Sequence, residues 1–141
     1  MKAKFGSFAE LTHDKNVVPV ISSGRFDISK EFFSALIDVA LGTTGFDEKW
    51  YQVHYPDIRK GLDEKIIKTA RWHYSHFGYF EHRLPRLIEV DAEFYGSAYQ
   101  DIGLAIKEGR IKSAQWHFEN FGFREGRTPR EGFALFPAVA G

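Results

Sequence analysis

Cysteine is absent from the 141 residues. No disulfide framework, thiolate zinc site or thiol nucleophile can be built from this chain. An excess of charge is missing too: 19 Lys+Arg stand against 19 Asp+Glu, for a formal net charge of zero. Proteins that hold nucleic acid mainly through its phosphates show a basic excess, so nucleic acid is not an expected partner. No run of 18 apolar residues occurs, which excludes a membrane-spanning helix. The chain opens with charged residues, but Glu10, His13, Asp14 and Lys15 interrupt any apolar stretch of signal-peptide length. A cytoplasmic location is the expectation. What the chain does have is aromatic rings: 14 Phe, 6 Tyr and 3 Trp, 16% of all residues. That is about twice the usual share.

A repeat organises those rings. Shifted by 44 residues, positions 46–85 lie on 90–129 without a gap, and sixteen of the forty pairs are identical. They include Asp47/Asp91, Tyr51/Tyr95, Tyr55/Tyr99, Asp57/Asp101, Trp72/Trp116, His73/His117, Phe77/Phe121, Gly78/Gly122, Glu81/Glu125, Arg83/Arg127 and Pro85/Pro129. Self-similarity of this density implies one supersecondary unit used twice.

Each unit reads as helical. Asp47 and Asp91 stand where an N-cap belongs. Pro56 fits the first turn of a helix and not its interior, so it divides the first arm into helices near 48–54 and 56–62. Gln100 replaces it in the second unit, where a softer break is expected. A further helix follows near 67–77 and 111–121, with a strongly aromatic face; Thr69 and Ser113 cap it or lie one turn inside it. Gly78 and Gly122 occupy the place of a left-handed C-cap glycine. Before the repeat, Val17–Ile21 is an apolar run broken by Pro19, and Ser22–Gly24 reads as a turn. Asp27 or Ser29 caps a helix that ends at Gly42. The expected fold is all-α: an N-terminal helix plus two copies of a short helix–turn–helix repeat. Its parts are 1–45, 46–89, 90–130 and an apolar tail, 131–141. Two repeats bury little by themselves, so the N-terminal helix completes the core or two chains associate.

The unit resembles a bacterial tandem repeat in which an aromatic-Asp-x-x-x-Tyr start leads to Asn-Pro-Asp-Val and then to His-Tyr-x-x-x-Gly-x-x-Glu-Gly-Arg-x-Pro. Here the first copy has Phe46-Asp47, Tyr51, Tyr55-Pro56-Asp57-Ile58, His73-Tyr74, Gly78, Glu81-His82-Arg83 and Pro85. The second has Asp91, Tyr95, Tyr99-Gln100-Asp101-Ile102, His117-Phe118, Gly122, Glu125-Gly126-Arg127 and Pro129. Repeats of this type are similar to accessory segments of glycosyltransferases and of secreted repeat-rich proteins. The resemblance implies a helical interaction module connected with surface polysaccharide. His82 departs from the glycine of Glu-Gly-Arg, and a different conformation is expected at the first unit's ending.

The candidate chemistry is thin. His73 and His117 recur among aromatic residues, where a buried imidazole with a hydrogen-bond partner is the first reading and a ligand-binding group the second. Arg83 and Arg127 read first as ionic latches onto Asp57 and Asp101, and second as an anion clamp. His54, His73, His76 and His82 crowd the first unit, but the set does not recur and His-Glu-x-x-His is absent, so no metal is assigned. Arg59, Lys60, Lys65, Lys68 and Arg71 form a basic stripe, read as a solvated face. The recurring rings suit a core, because short helices bury little aliphatic area and each ring supplies much. Rings left near the ends, Phe5, Phe8, Phe133 and Phe136, are the candidate partner surface.

No catalytic residue and no cofactor are assigned. The expectation is a non-enzymatic interaction or adaptor module, accessory to bacterial polysaccharide or glycan assembly, with a protein or a second copy as partner. The alternative is a binding protein for a small anionic ligand, a sugar acid or nucleotide. That alternative requires His73, His117, Arg83 and Arg127 to converge in one concave site.

Overall fold

A computed structural model describes residues 17–20 and 25–136. The chain is helical, with seven α-helices among the described residues. A two-stranded antiparallel ribbon precedes them, β1 (Val17–Val20) paired with β2 (Arg25–Ile28), Val17 opposite Ile28 and Val20 opposite Arg25. The apolar run before Ser22 was not expected to pair. The turn expected over Ser22–Gly24 lies outside the described residues.

Helix α1 (Lys30–Thr44) starts at Ser29, whose hydroxyl accepts the Phe32 N–H at 3.1 Å. It runs through Gly42, where a stop was expected, and ends at Gly45. Gly45 takes φ 83° and returns its N–H to the Leu41 carbonyl at 3.0 Å. A left-handed residue stops a helix; a glycine with ordinary φ only weakens one.

The first unit follows as α2 (Glu48–His54), α3 (Pro56–Asp63) and α4 (Ala70–His73), the last running on into a π turn, Tyr74–Gly78. The second is α5 (Ala92–Ala98), α6 (Gln100–Lys107) and α7 (Ala114–His117), running into a π turn, Phe118–Gly122. Every boundary recurs at the 44-residue offset. The caps recur as well: Asp47 and Asp91 open the first helices, and Thr69 and Ser113 open the last. The break between the first two helices is equally sharp in both units. Tyr55 sits at φ −120° and Tyr99 at φ −122°, although only the first is followed by proline. The tyrosines themselves hold the corner. The Tyr55 hydroxyl accepts the Leu84 N–H at 2.8 Å and the Tyr99 hydroxyl accepts the Thr128 N–H at 2.8 Å.

Each unit closes on itself and leans on what precedes it. The Asp47 N–H donates to the Pro85 carbonyl at 3.2 Å, and the Asp91 N–H donates to the Pro129 carbonyl at 3.0 Å. Two apolar clusters result. In the first, Tyr51, Ile58, Ala70 and Tyr74 pack with Ile37 and Leu41 of α1. In the second, Tyr95, Ile102, Ala114 and Phe118 pack with Leu84 and Ile88, the strap between the units. Trp50 of α2 also packs on the second cluster, which ties the units together. The N-terminal helix thus completes a repeat core.

Candidate functional site

The polar groups inside each unit converge on one arrangement, made twice. Tyr51 of α2 is fully buried and its hydroxyl lies 3.1 Å from Nδ1 of His73, at the end of α4. Tyr95 and His117 repeat the pair at 2.9 Å. Both imidazoles are buried. Burial holds both below the ordinary histidine value; the nearby Arg83 adds to this for His73, while Glu125 works against it for His117. Burial likewise pushes the Tyr51 phenol up, and that of Tyr95 up to about 12. A phenol that keeps its proton can donate it to a neutral imidazole in the Nε2–H tautomer, whose Nδ1 is an acceptor.

Gly78 and Gly122 belong to these pairs. Neither takes a positive φ, against the expected left-handed cap. A Cβ at either position would run into the hydroxyl of Tyr51 or Tyr95, so glycine is there for a close approach. The left-handed residues come later, at His82 (φ 58°) and Gly126 (φ 73°), with a second matched pair at Lys65 (φ 58°) and Gly109 (φ 72°). His82 therefore does not alter the first unit's ending; it adopts the backbone that glycine adopts in the second. The Arg83 N–H returning to the Gly78 carbonyl, like that of Arg127 to Gly122, closes both turns at 2.8 Å.

The arginines are committed. Arg83 donates to both Asp57 oxygens at 3.0 and 2.8 Å and to Glu81 at 2.7 Å, with its guanidinium 4.9 Å above the Tyr55 ring. Hydrogen bonding from Arg83 holds the Asp57 carboxyl below the usual range. Arg127 donates to Glu125 at 2.6 Å, lies 3.7 Å from Asp101 and stacks 4.6 Å above Tyr99. Each His and Arg thus serves its own unit. Three clefts stand out among the described residues. One of about 540 Å³ lies on α5 and α6 around Gly96, Gly103 and Leu104. One of about 530 Å³ lies between Arg86 and Arg130, and one of about 430 Å³ between α1 and Trp72. None of the three is lined by His73, His117, Arg83 or Arg127. The concave anion site that would join all four is not among them.

The other charged and histidine groups are local. Among the described residues no three His, Asp or Glu side chains gather as a metal site. In the basic stripe, Arg59 pairs with Asp63, Lys60 with Glu64 and Arg71 with Asp38, while Lys68 lies over the Trp72 ring. No helix among the described residues is long and apolar enough to cross a membrane.

The exposed rings are not where the sequence put them. Phe5 and Phe8 lie outside the described residues. Phe133 and Leu135 pack on the second cluster, and Phe136 packs on the first, stacked 6.1 Å from Tyr79. The rings that face solvent lie in and next to the π turns: Phe77 is 41% exposed, Phe121 48%, Trp116 at the end of α7 38%, and Phe80 after the first turn 41%. In each unit the Trp and Phe rings meet edge to face at 5.6 Å, and the Phe lies 5.7 Å from the buried imidazole. Helical spacing groups Phe77 with Ala70 and Tyr74 on the buried face. The π turn winds the chain more widely, which swings Phe77 out and brings Gly78 in. The recurrence of glycine directly after Phe77 and Phe121 was the available signal. No protein-family model, no curated protein and no solved structure matches the chain.

Proposed function

We propose that the chain is a non-enzymatic interaction module that presents the aromatic π turns of its two units to a protein partner, as an accessory to bacterial polysaccharide or glycan assembly. The observation that carries this reading is the matched exposure of Phe77 and Phe121, with Trp116 and Phe80 beside them. Large rings left half in water at the same place in two units cost free energy that the fold has no need to spend. Meanwhile the repeated His and Arg groups are satisfied within their own units. The link to polysaccharide rests on the resemblance of the repeat alone.

The test is co-purification from the source organism, with mass spectrometry of bound proteins and small molecules. Phe77→Ser, Trp116→Ser and Phe121→Ser are combined in one comparison chain. A partner recovered stoichiometrically by the natural chain and lost by the variant, with circular dichroism unchanged, supports the reading. Equal recovery by both chains, or a natural chain that is partnerless and loaded with a small anion, overturns it.

A further inference from the structure

The buried imidazoles have a second consequence, independent of any partner. Each Tyr–His pair joins the first helix of a unit to its last: Tyr51 on α2 to His73 on α4, and Tyr95 on α5 to His117 on α7. The tyrosine hydroxyl sits against Gly78 or Gly122, with no other partner among the described residues. Around His73 the charged groups are Arg83, Glu81 and Asp57, and these three are already bonded to one another. Around His117 they are Glu125, Arg127 and Asp101; Arg127 is hydrogen-bonded to Glu125 and forms a longer ion pair with Asp101 at 3.7 Å. The remaining close neighbour is the Phe77 or Phe121 ring.

We propose that the two Tyr–His pairs are proton-sensitive pins, each holding the arms of its unit together only while its imidazole is neutral, so that mild acid loosens both units together.

The chemistry runs through Nδ1. In the neutral Nε2–H tautomer it accepts the tyrosine proton, and that tautomer alone leaves the phenol hydrogen with its partner. Once protonated, Nδ1 becomes a donor, and the tyrosine must turn its own hydrogen away from the only hydrogen-bond partner its hydroxyl has among the described residues. The new charge also sits in a buried ring, with Arg83 opposing it in the first unit and Glu125 partly offsetting the burial in the second. An unfolded histidine titrates near pH 6.5. Both folded imidazoles lie below that value because of burial, so the unfolded chain takes up these protons first. The stabilisation is therefore complete above about pH 6.5 and is lost as pH falls through the folded values.

The experiment is urea unfolding of the intact chain, followed by circular dichroism at several pH values between 7.5 and 5. The comparison chain carries His73→Asn and His117→Asn, whose amide oxygens stand at the Nδ1 position and accept the same tyrosine protons without titrating. The urea midpoint of the natural chain should fall with pH, with uptake approaching one proton per unit on unfolding. The double variant should lose less than half as much. Equal loss in both chains overturns the proposal. Should the double variant not fold, the imidazole resonances of the natural chain decide. Rings that stay neutral until the fold opens support the pins, and rings that titrate near pH 6.5 with the fold intact overturn them.

Discussion

The first unit rests on a helix and the second on an extended strap, yet the same position makes both joins. Arg71 donates to the Asp38 carboxylate and to the Asp38 carbonyl of α1. Gln115, its counterpart, accepts the Val90 N–H at 2.9 Å and donates to the Ile88 carbonyl at 3.0 Å. A guanidinium has only donors, which suits a helix that offers a carboxylate and a carbonyl. An amide has a donor and an acceptor, which suits an extended segment that offers both. The residue at this position reports what its unit leans on. The lesson extends to the cores: Ile37 and Leu41 do for the first unit what Leu84 and Ile88 do for the second. One repeat accepts two different neighbours because its own closure, from Asp to Pro, is made internally.

The equivalence of the units can be broken most severely at the glycine seats. Gly78→Ala and Gly122→Ala should each cost about 3 kcal/mol, the upper range for overpacking a full core. In both cases the new methyl displaces a tyrosine from its histidine. Urea denaturation of the two single variants measures this, and a mild effect in one unit alone would show that the seats are not alike.

A smaller effect separates Tyr74 from Phe118. Both are fully buried at the same position, but the Tyr74 hydroxyl has no partner among the described residues. Tyr74→Phe should therefore be neutral or stabilising by about 1 kcal/mol, and Phe118→Tyr destabilising by about 1–2 kcal/mol. The urea midpoints of the two variants should move in opposite directions. A loss on Tyr74→Phe would mean that its hydroxyl is satisfied.

The smallest effect tests the left-handed positions. His82→Gly and Lys65→Gly should each raise stability by about 0.5–1 kcal/mol, because glycine adopts a positive φ without the Cβ penalty. Gly126→Ala should lower it by a similar amount. Thermal melting reads all three. No gain at His82 would point to a contact made by its side chain.

Much of the local structure was legible in the sequence, because caps and closing prolines act over three or four residues. Asp47 and Pro56 could be placed from the letters alone, while Ser29 and Thr69 were each one of two readings. The latch of Arg83 onto Asp57 was legible too, since a carboxylate and an arginine recurring in step need partners. The π turns were not. Their signature is a glycine where helical periodicity calls for a filled position, and that is indistinguishable from a helix stop. A helix stop at Gly78 would leave Phe77 on the aromatic helical face, whereas the π turn exposes it. His82 misled for a similar reason: a left-handed turn can be held by its neighbours even when the residue within it resists.

The sequence by itself determined the 44-residue period, the helical character of each unit and the residues that start and close it, since all of these follow from short-range chemistry and from self-similarity. Only the tertiary structure decided which rings are buried, what the repeated histidines bond to and which segment completes each core. Those outcomes depend on contacts such as Tyr51 with His73, 22 residues apart. At that range the winding of a single turn selects the side chains that face inward.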